Sequence, residues 1–172
     1  MTATTTSHLG SALQPCLNRV ISYAEVLTNG IDPAKFAHMP MPGVNHPAFC
    51  LGHLALYPNL CFTLLGREDL KEELPGFEAL FKAGVECVED DGRYPAKDVI
   101  VEAFVDGHRR LADALSEVDD AVFGQINPIE GRMREFFPTI GVAVTFLSTA
   151  HPMMHLGQVS AWRRVMGLGS AM

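Results

Sequence analysis

Apolar residues recur at the spacing of an α-helix in four stretches of this chain, and segments rich in proline, glycine and charge separate the stretches. In the first of them Leu13, Leu17 and Val20 line one face, with polar residues between them. The predicted helices cover residues 9–28, 47–65, 96–118 and 139–166. Because no segment has the alternating period of a credible strand, the pattern predicts an all-α fold, a four-helix bundle.

The second predicted helix is apolar on nearly every side, which is typical of a helix buried in the core. His53 lies in its middle and shares a face with Phe49 and Tyr57 by helical spacing. A buried imidazole without a partner costs roughly 1–3 kcal/mol. His53 is therefore either a core histidine bonded to a carbonyl or a histidine held in place for chemistry.

The fourth predicted helix carries His151 and His155, four residues apart. This spacing places two imidazoles on one face, about 6 Å apart along the helix axis, where both can bind one ion. Zinc proteases with this pattern have a glutamate after the first histidine, whereas this chain has Pro152, which excludes the protease interpretation. Pro152 should also kink or split the helix. The alternative is a pair of hydrogen-bonded histidines without a ligand.

The connections between the predicted helices are long, and they cover residues 30–47, 67–97 and 119–138. Short helical pieces are expected within the second connection, and the third is expected to be a loop. Asn45 is a candidate N-cap for the helix that follows, because Pro47 fits the first helical turn. The length predicts one domain over residues 1–172, with residues 1–7 as a flexible tail.

Composition and charge narrow the function classes. The chain has 172 residues and a formal net charge of −7, so it offers no basic surface for nucleic acid. The first seven residues lack the features of a signal peptide, and no apolar run approaches the roughly 20 residues of a membrane span. The four cysteines form no C-x-x-C pair. We therefore expect a cytoplasmic protein with reduced thiols that binds neither nucleic acid nor membrane.

His53 supplies the third ligand that the His151–His155 pair needs. Two imidazoles from one helix and one from a facing helix leave a coordination position open, which is the arrangement of a catalytic metal site. Gln158 follows His155 by three residues on the same face and is positioned to bond to a ligand imidazole or to substrate. His108 lies near the apolar stripe of the third helix and is interpreted as a packed residue.

The chain also resembles a known family, the DinB/YfiT-like metalloenzyme superfamily. The resemblance rests on two segments, residues 45–55 with the sequence NHPAFCLGHLA and residues 151–158 with the sequence HPMMHLGQ. They are followed by Arg163-Arg164 and Gly167-Leu168. The family pattern joins a G-H-(I/L)-A helix to a late H-x-x-x-H-x-G-Q helix and an Arg-Arg-x-x-Gly ending. These elements occur here in order, and the likeness covers most of the chain.

The resemblance implies an up-down-down-up four-helix bundle, usually dimeric, with a divalent metal bound by His53, His151 and His155. Three imidazoles suit several metals, with zinc or nickel first and iron, manganese or copper as further candidates. Relatives include thiol-dependent S-transferases and a mycothiol-dependent isomerase, so a low-molecular-weight thiol is a candidate cosubstrate. Family members often have an acidic residue where this chain has Pro152. A supporting or acid–base role of that acid therefore does not carry over to this chain, whereas the three ligands do.

The leading hypothesis is a metal-dependent transferase of the thiol-dependent S-transferase type, or a hydrolase, acting on a small molecule. The metal would lower the pKa of a bound water or thiol and so generate the nucleophile. The alternative hypothesis is a non-catalytic stress-response or binding protein with a structural or vestigial metal site. Chelation distinguishes the two hypotheses in part, because a protein with a structural metal site loses much of its folding stability without the metal.

Overall fold

The structure is a computed structural model that describes residues 8–171; the predicted tail of residues 1–7 lies outside this range. Every regular element of the described chain is helical, which confirms the all-α prediction. The helices are α1 (His8–Thr28), α2 (Pro47–Ala55), α3 (Tyr57–Leu65), α4 (Phe77–Phe81), α5 (Lys97–Leu115), α6 (Asp120–Phe123), α7 (Arg132–Phe136), α8 (Ile140–Thr145) and α9 (His151–Val165). A π-helical segment, Phe146–Ala150, joins α8 to α9.

The predicted helix over 47–65 is two helices, because the helical conformation is interrupted at Leu56. Pro58 has no N–H to donate and therefore fits only the first turn of a helix, where it stands in α3. The N–H of Leu56 bonds to the carbonyl of His53, 3.3 Å away, in a tightened last turn of α2. The break leaves His53 and Tyr57 on either side of it.

The predicted loop over 119–138 is wrong in part, since it contains α6 and α7. Asp119 caps α6 by accepting a hydrogen bond from the N–H of Ala121. Ile126 pairs with Thr139 in an isolated antiparallel bridge just before α8. Thr139, the first residue of the fourth predicted helix, caps α8 through its side chain. The connection between α3 and α5 is largely irregular, with a single turn at Glu68–Leu70 and the short helix α4.

The core lies where the long helices meet. α1 packs against α5 and α9, and α2 packs against the same two helices, so these four elements surround one apolar interior. The largest side chains without exposed surface come from every one of these helices and include Leu17, Leu54, Phe104, Leu111 and Trp162. Burying a side chain of this size contributes about 1.5–3 kcal/mol. The position of α9 beside α2 is therefore set by the core, independently of any ion.

Two side chains of α9 bond to the end of α1 and to the segment that follows it. The buried Arg163 guanidinium donates to the carbonyls of Leu27 and Asn29, at 2.8 and 2.9 Å, and so satisfies the end of α1. The indole N–H of Trp162 donates to the carbonyl of His38 at 2.8 Å. These bonds fix the rotation of α9 about its axis and hence the face that His151 and His155 present to α2.

The expectation that no apolar run is long enough to span a membrane is wrong by length and composition. Residues Pro47–Leu65 form a helical stretch of 19 residues that is apolar enough for a span. Most of this stretch is buried against the other helices of the same chain. Its burial is that of a core helix, which can be as long and as apolar as a membrane span.

Candidate metal centre

The three predicted histidines converge at the junction of α2 and α9. His53 lies in the last turn of α2, while His151 and His155 lie in the first two turns of α9. One ligand atom from each histidine lies within 4.8 Å of the other two. The ring centroids are 5.3 Å apart for His53 and His151, and 4.8 Å apart for His53 and His155. The structure thus places together the residues that the sequence selected.

The start of α2 is not capped as predicted. His46, not Asn45, is the N-cap: its Nδ1 accepts a hydrogen bond from the N–H of Phe49, 3.1 Å away. The other ring nitrogen, Nε2, donates to the carbonyl of Val88 at 3.0 Å. Pro47 occupies the first helical turn as predicted. His46 therefore joins α2 to the segment that follows α4. The helix α4 itself carries a hydrogen-bond partner of His53.

Two of the three histidines have an acceptor for their Nδ1–H. The Nδ1 of His53 lies 2.7 Å from the carbonyl oxygen of Phe81, and the Nδ1 of His155 lies 3.2 Å from Oε1 of Gln158. Because a carbonyl oxygen only accepts, Nδ1 carries the proton in both rings. The lone pair is then on Nε2, the nitrogen left for an ion. The Nδ1 of His151 is buried and has no partner within the described chain.

Gln158 joins α9 to the start of α2. Its Oε1 accepts from Nδ2 of Asn45 at 3.1 Å and from the thiol of Cys50 at 3.4 Å, in addition to the imidazole of His155. Burial raises the pKa of the Cys50 thiol, so the sulfur stays protonated and acts as a donor. Sequence reasoning missed the roles of Asn45 and Cys50. Both lie in the segment NHPAFCLGHLA, and only the fold brings them to Gln158.

The predicted disturbance at Pro152 takes the form of the π-helical segment. Pro152 lies in the first turn of α9, where its missing N–H needs no acceptor. The N–H of His151 bonds to the carbonyl of Phe146, five residues earlier, which is the π pattern. One extra residue per turn at this point changes the rotation of the helix. His151 and His155 thereby face α2, while Ala150 remains exposed.

Aromatic rings border the cluster. Phe49 is stacked on His53 at 6.3 Å between centroids, and Phe146 is stacked on His151 at 5.8 Å. Tyr57 lies edge-on to both imidazoles, 4.9 Å from His53 and 4.4 Å from His151. Helical spacing identified Phe49 and Tyr57 in the sequence, but not Phe146, whose position depends on the π segment. These rings limit the access of water to the three histidines.

Burial keeps the three imidazoles neutral. It lowers the pKa of His53 and His155, and it lowers the pKa of His151 to about 3, with the neighbouring histidines adding to the effect. Neutral imidazoles have the free lone pair that a metal requires. Among residues 8–171 the cluster contains histidines alone, without a carboxylate or a thiolate. This donor set fits zinc, nickel, copper or iron.

Met153 and Met154, which lie between His151 and His155 in the sequence, are both exposed. Met153 lies beside Pro15 and Cys16 of α1, on a shallow apolar surface with Thr149 and Ala150. His108 has no exposed surface, and its ring packs on Phe104 with 4.1 Å between centroids. It is not part of the three-histidine group.

We expect the metal-free protein to lose stability as the pH falls from about 6.5 to about 4, because burial lowers the pKa of His108 to about 4. In that window the unfolded chain binds a proton that the folded chain does not bind, so acid favours unfolding. For His108 alone the loss is on the order of 3 kcal/mol. Urea unfolding at pH 7 and pH 4 should show a smaller loss for His108→Gln than for the wild type. The exposed His8→Gln serves as the control, and equal losses in the wild type and His108→Gln would contradict the prediction.

Comparison with known proteins adds one finding. The model of a family described as the DinB superfamily matches residues 17–159, a range that includes the three histidines and Gln158. No curated protein and no solved structure matches the chain.

Proposed function

This chain belongs to the DinB superfamily, and we propose that it is a divalent-metal protein whose ligands are His53, His151 and His155. The observation that carries the proposal is the convergence of three neutral imidazoles, two of which have Nδ1–H committed to an acceptor. Three protein ligands leave a coordination position for water or substrate. We further propose the up-down-down-up four-helix bundle of the family, a cytoplasmic location, and the absence of membrane and nucleic-acid partners.

We propose an enzyme of the thiol-dependent S-transferase type, or a hydrolase, acting on a small molecule. When bound, a divalent ion would bring the pKa of a water or a low-molecular-weight thiol closer to neutrality. The residues of the chain supply the rest. The carbonyl of Phe81 and the amide of Gln158 orient two ligand rings, and Tyr57 and Phe49 pack against the imidazoles and limit the access of bulk water. Among residues 8–171 the cluster offers no carboxylate as a base, so a bound ion would supply the acidity that generates the nucleophile.

Elemental analysis after purification, followed by chelation and reconstitution with zinc, nickel, iron, manganese and copper salts, tests the metal proposal. We expect about one ion per chain, with zinc or nickel as the ion found after purification and copper as the tightest binder on reconstitution, as the general affinity order of divalent ions requires. A metal-free protein that binds none of these ions at micromolar concentration would contradict it. Consumption of a small thiol by a set of electrophiles, against hydrolysis of esters and amides, then separates the two reaction types.

The alternative function is a non-catalytic stress-response or binding protein with a structural or vestigial site. The absence of a carboxylate from the cluster among residues 8–171 favours it.

We expect the metal-free protein to stay folded, because the core around Leu54, Phe104 and Trp162 is buried without an ion. Metal at 100 times its Kd should add about 2.7 kcal/mol to the free energy of unfolding. Unfolding on chelation, followed by circular dichroism, would instead indicate a structural site.

We also propose a homodimer, since two-fold dimers are the commonest closed assembly and the family resemblance implies one. Light scattering at micromolar concentration should give a mass of twice the 18.7 kDa of one chain. A mass of 18.7 kDa would contradict the dimer and would leave the metal proposal unaffected.

A further inference from the structure

The three candidate ligands differ in how their Nδ1 atoms are bonded. His53 and His155 each have a protein acceptor, whereas the Nδ1 of His151 has none within the described chain. The position of the proton on an imidazole is set by the bond that the other nitrogen makes. His151 therefore needs an acceptor at Nδ1 if its Nε2 is to present a lone pair to the cluster.

Three further buried polar atoms lack a partner in residues 8–171: Oγ of Ser148, Nε2 of His108 and Nε of Arg163. Arg163 lies near the far end of α9, and its guanidinium already donates to two carbonyls. More than about 90% of buried polar groups in proteins are hydrogen-bonded, so the three unpaired atoms of His151, Ser148 and His108 require an explanation. The Nδ1 of His108 lies 2.7 Å from the carbonyl oxygen of Phe104 and must donate to it. The Nε2 of His108 is then an acceptor, which is the group that His151 lacks.

The three atoms belong to neighbouring parts of the fold. Ser148 precedes His151 by about one turn, and both are buried, whereas Ala150 between them is exposed. His108 lies in α5, which touches the start of α3: a Cβ at Gly107, the residue before His108, would lie 3.1 Å from the ring of Pro58. The residue before Pro58 is Tyr57, and the centroid of its ring lies 4.4 Å from that of His151.

We propose that one buried water molecule joins Nδ1 of His151, Oγ of Ser148 and Nε2 of His108, and that His108 is a positioning residue for His151. The water would accept from the Nδ1–H of His151 and donate to Nε2 of His108. Its second hydrogen or its second lone pair would serve the Ser148 hydroxyl. Buried waters in proteins make about three such bonds. The link to metal affinity rests on the proposed function, while the water and the proton position do not.

Three variants test the inference. His108→Phe retains an aromatic ring against Phe104 and removes the acceptor, His108→Gln places an amide near the position of Nε2, and Ser148→Ala removes one partner of the water. Nitrogen-15 NMR of the imidazoles in the metal-free protein should show the Nδ1–H form for His151 in the wild type and in His108→Gln. In His108→Phe that form should be mixed or lost. A crystal structure of the wild type should show the water bonded to all three atoms.

Zinc titration against a chromophoric chelator gives the second measurement. We expect His108→Phe to bind zinc about tenfold more weakly, His108→Gln to bind within about threefold of the wild type, and Ser148→Ala to lie between them. If the wild type binds no metal, the proposed function fails, and the NMR measurement still decides the inference. An unchanged His151 proton position in both His108→Phe and Ser148→Ala would overturn it. If His108→Phe does not fold, Ser148→Ala and the crystal structure decide.

Discussion

His155→Ala should weaken divalent-metal binding by at least tenfold, about 1.4 kcal/mol or more, while the fold is retained. Two imidazoles then remain, and no other histidine in the cluster can take the place of the lost ligand among the described residues. His155 is the least buried of the three histidines, so the substitution creates no large cavity. The Oε1 of Gln158 keeps its bonds from Asn45 and Cys50, so no buried acceptor loses all of its partners. Competition titration with zinc measures the loss.

The comparison with other histidines makes this result specific. His8→Ala removes an exposed imidazole at the start of α1 and should titrate like the wild type. His53→Ala should weaken binding at least as much as His155→Ala and should also lower stability, because it leaves the carbonyl of Phe81 without the 2.7 Å bond from Nδ1. Thermal unfolding of the metal-free variants separates the two effects. Wild-type zinc affinity in His155→Ala would remove His155 from the ligand set.

The sequence was sufficient to select the three histidines, because helical spacing and the apolar pattern around a residue are local properties. His151 and His155 share a face by their spacing, and the apolar surroundings of His53 indicate a buried helix. Their partners could not be selected in the same way. The acceptor of His53 is a backbone carbonyl, 28 residues away in α4, and any residue type could supply it. The position of Phe81 is a property of the fold and has no signature in the sequence.

The positions of the helices could likewise be predicted from the sequence, whereas the points where they are interrupted could not. The four apolar stripes predicted where the long helices lie, but the break at Leu56 follows from Pro58, whose effect depends on whether a second helix begins there. At Pro152 the sequence predicts a disturbance because a carbonyl is displaced. A kink and a π turn both resolve that conflict, and the chain adopts the π turn in a segment that packs against α1 and α3. Pattern rules therefore identify where a helix is strained, whereas the tertiary contacts determine the geometry that results.

Gly52→Ala should lower both the stability of the protein and its affinity for metal. A Cβ at this position would lie 2.6 Å from three carbons of the Phe81 ring, far closer than van der Waals contact. Phe81 has no exposed surface and lies against Phe49 and Tyr94, so the ring cannot move away freely. Overpacking of this kind costs about 1–3 kcal/mol, although alanine is the better helix former by about 1 kcal/mol. This contact explains why a glycine precedes His53.

The same clash reaches the metal centre through the backbone. If Phe81 shifts, its carbonyl moves away from Nδ1 of His53, and the proton on that ring is no longer fixed. We expect zinc affinity to fall by roughly tenfold in addition to the loss of stability. Gly157→Ala is the matched control, because it lies in α9 beside Gln158 and a Cβ there would meet no atom within 4 Å. That variant should gain up to about 1 kcal/mol of stability and keep its affinity. If urea unfolding and zinc titration gave the same values for Gly52→Ala and Gly157→Ala, Phe81 would not be the residue that holds His53 in place.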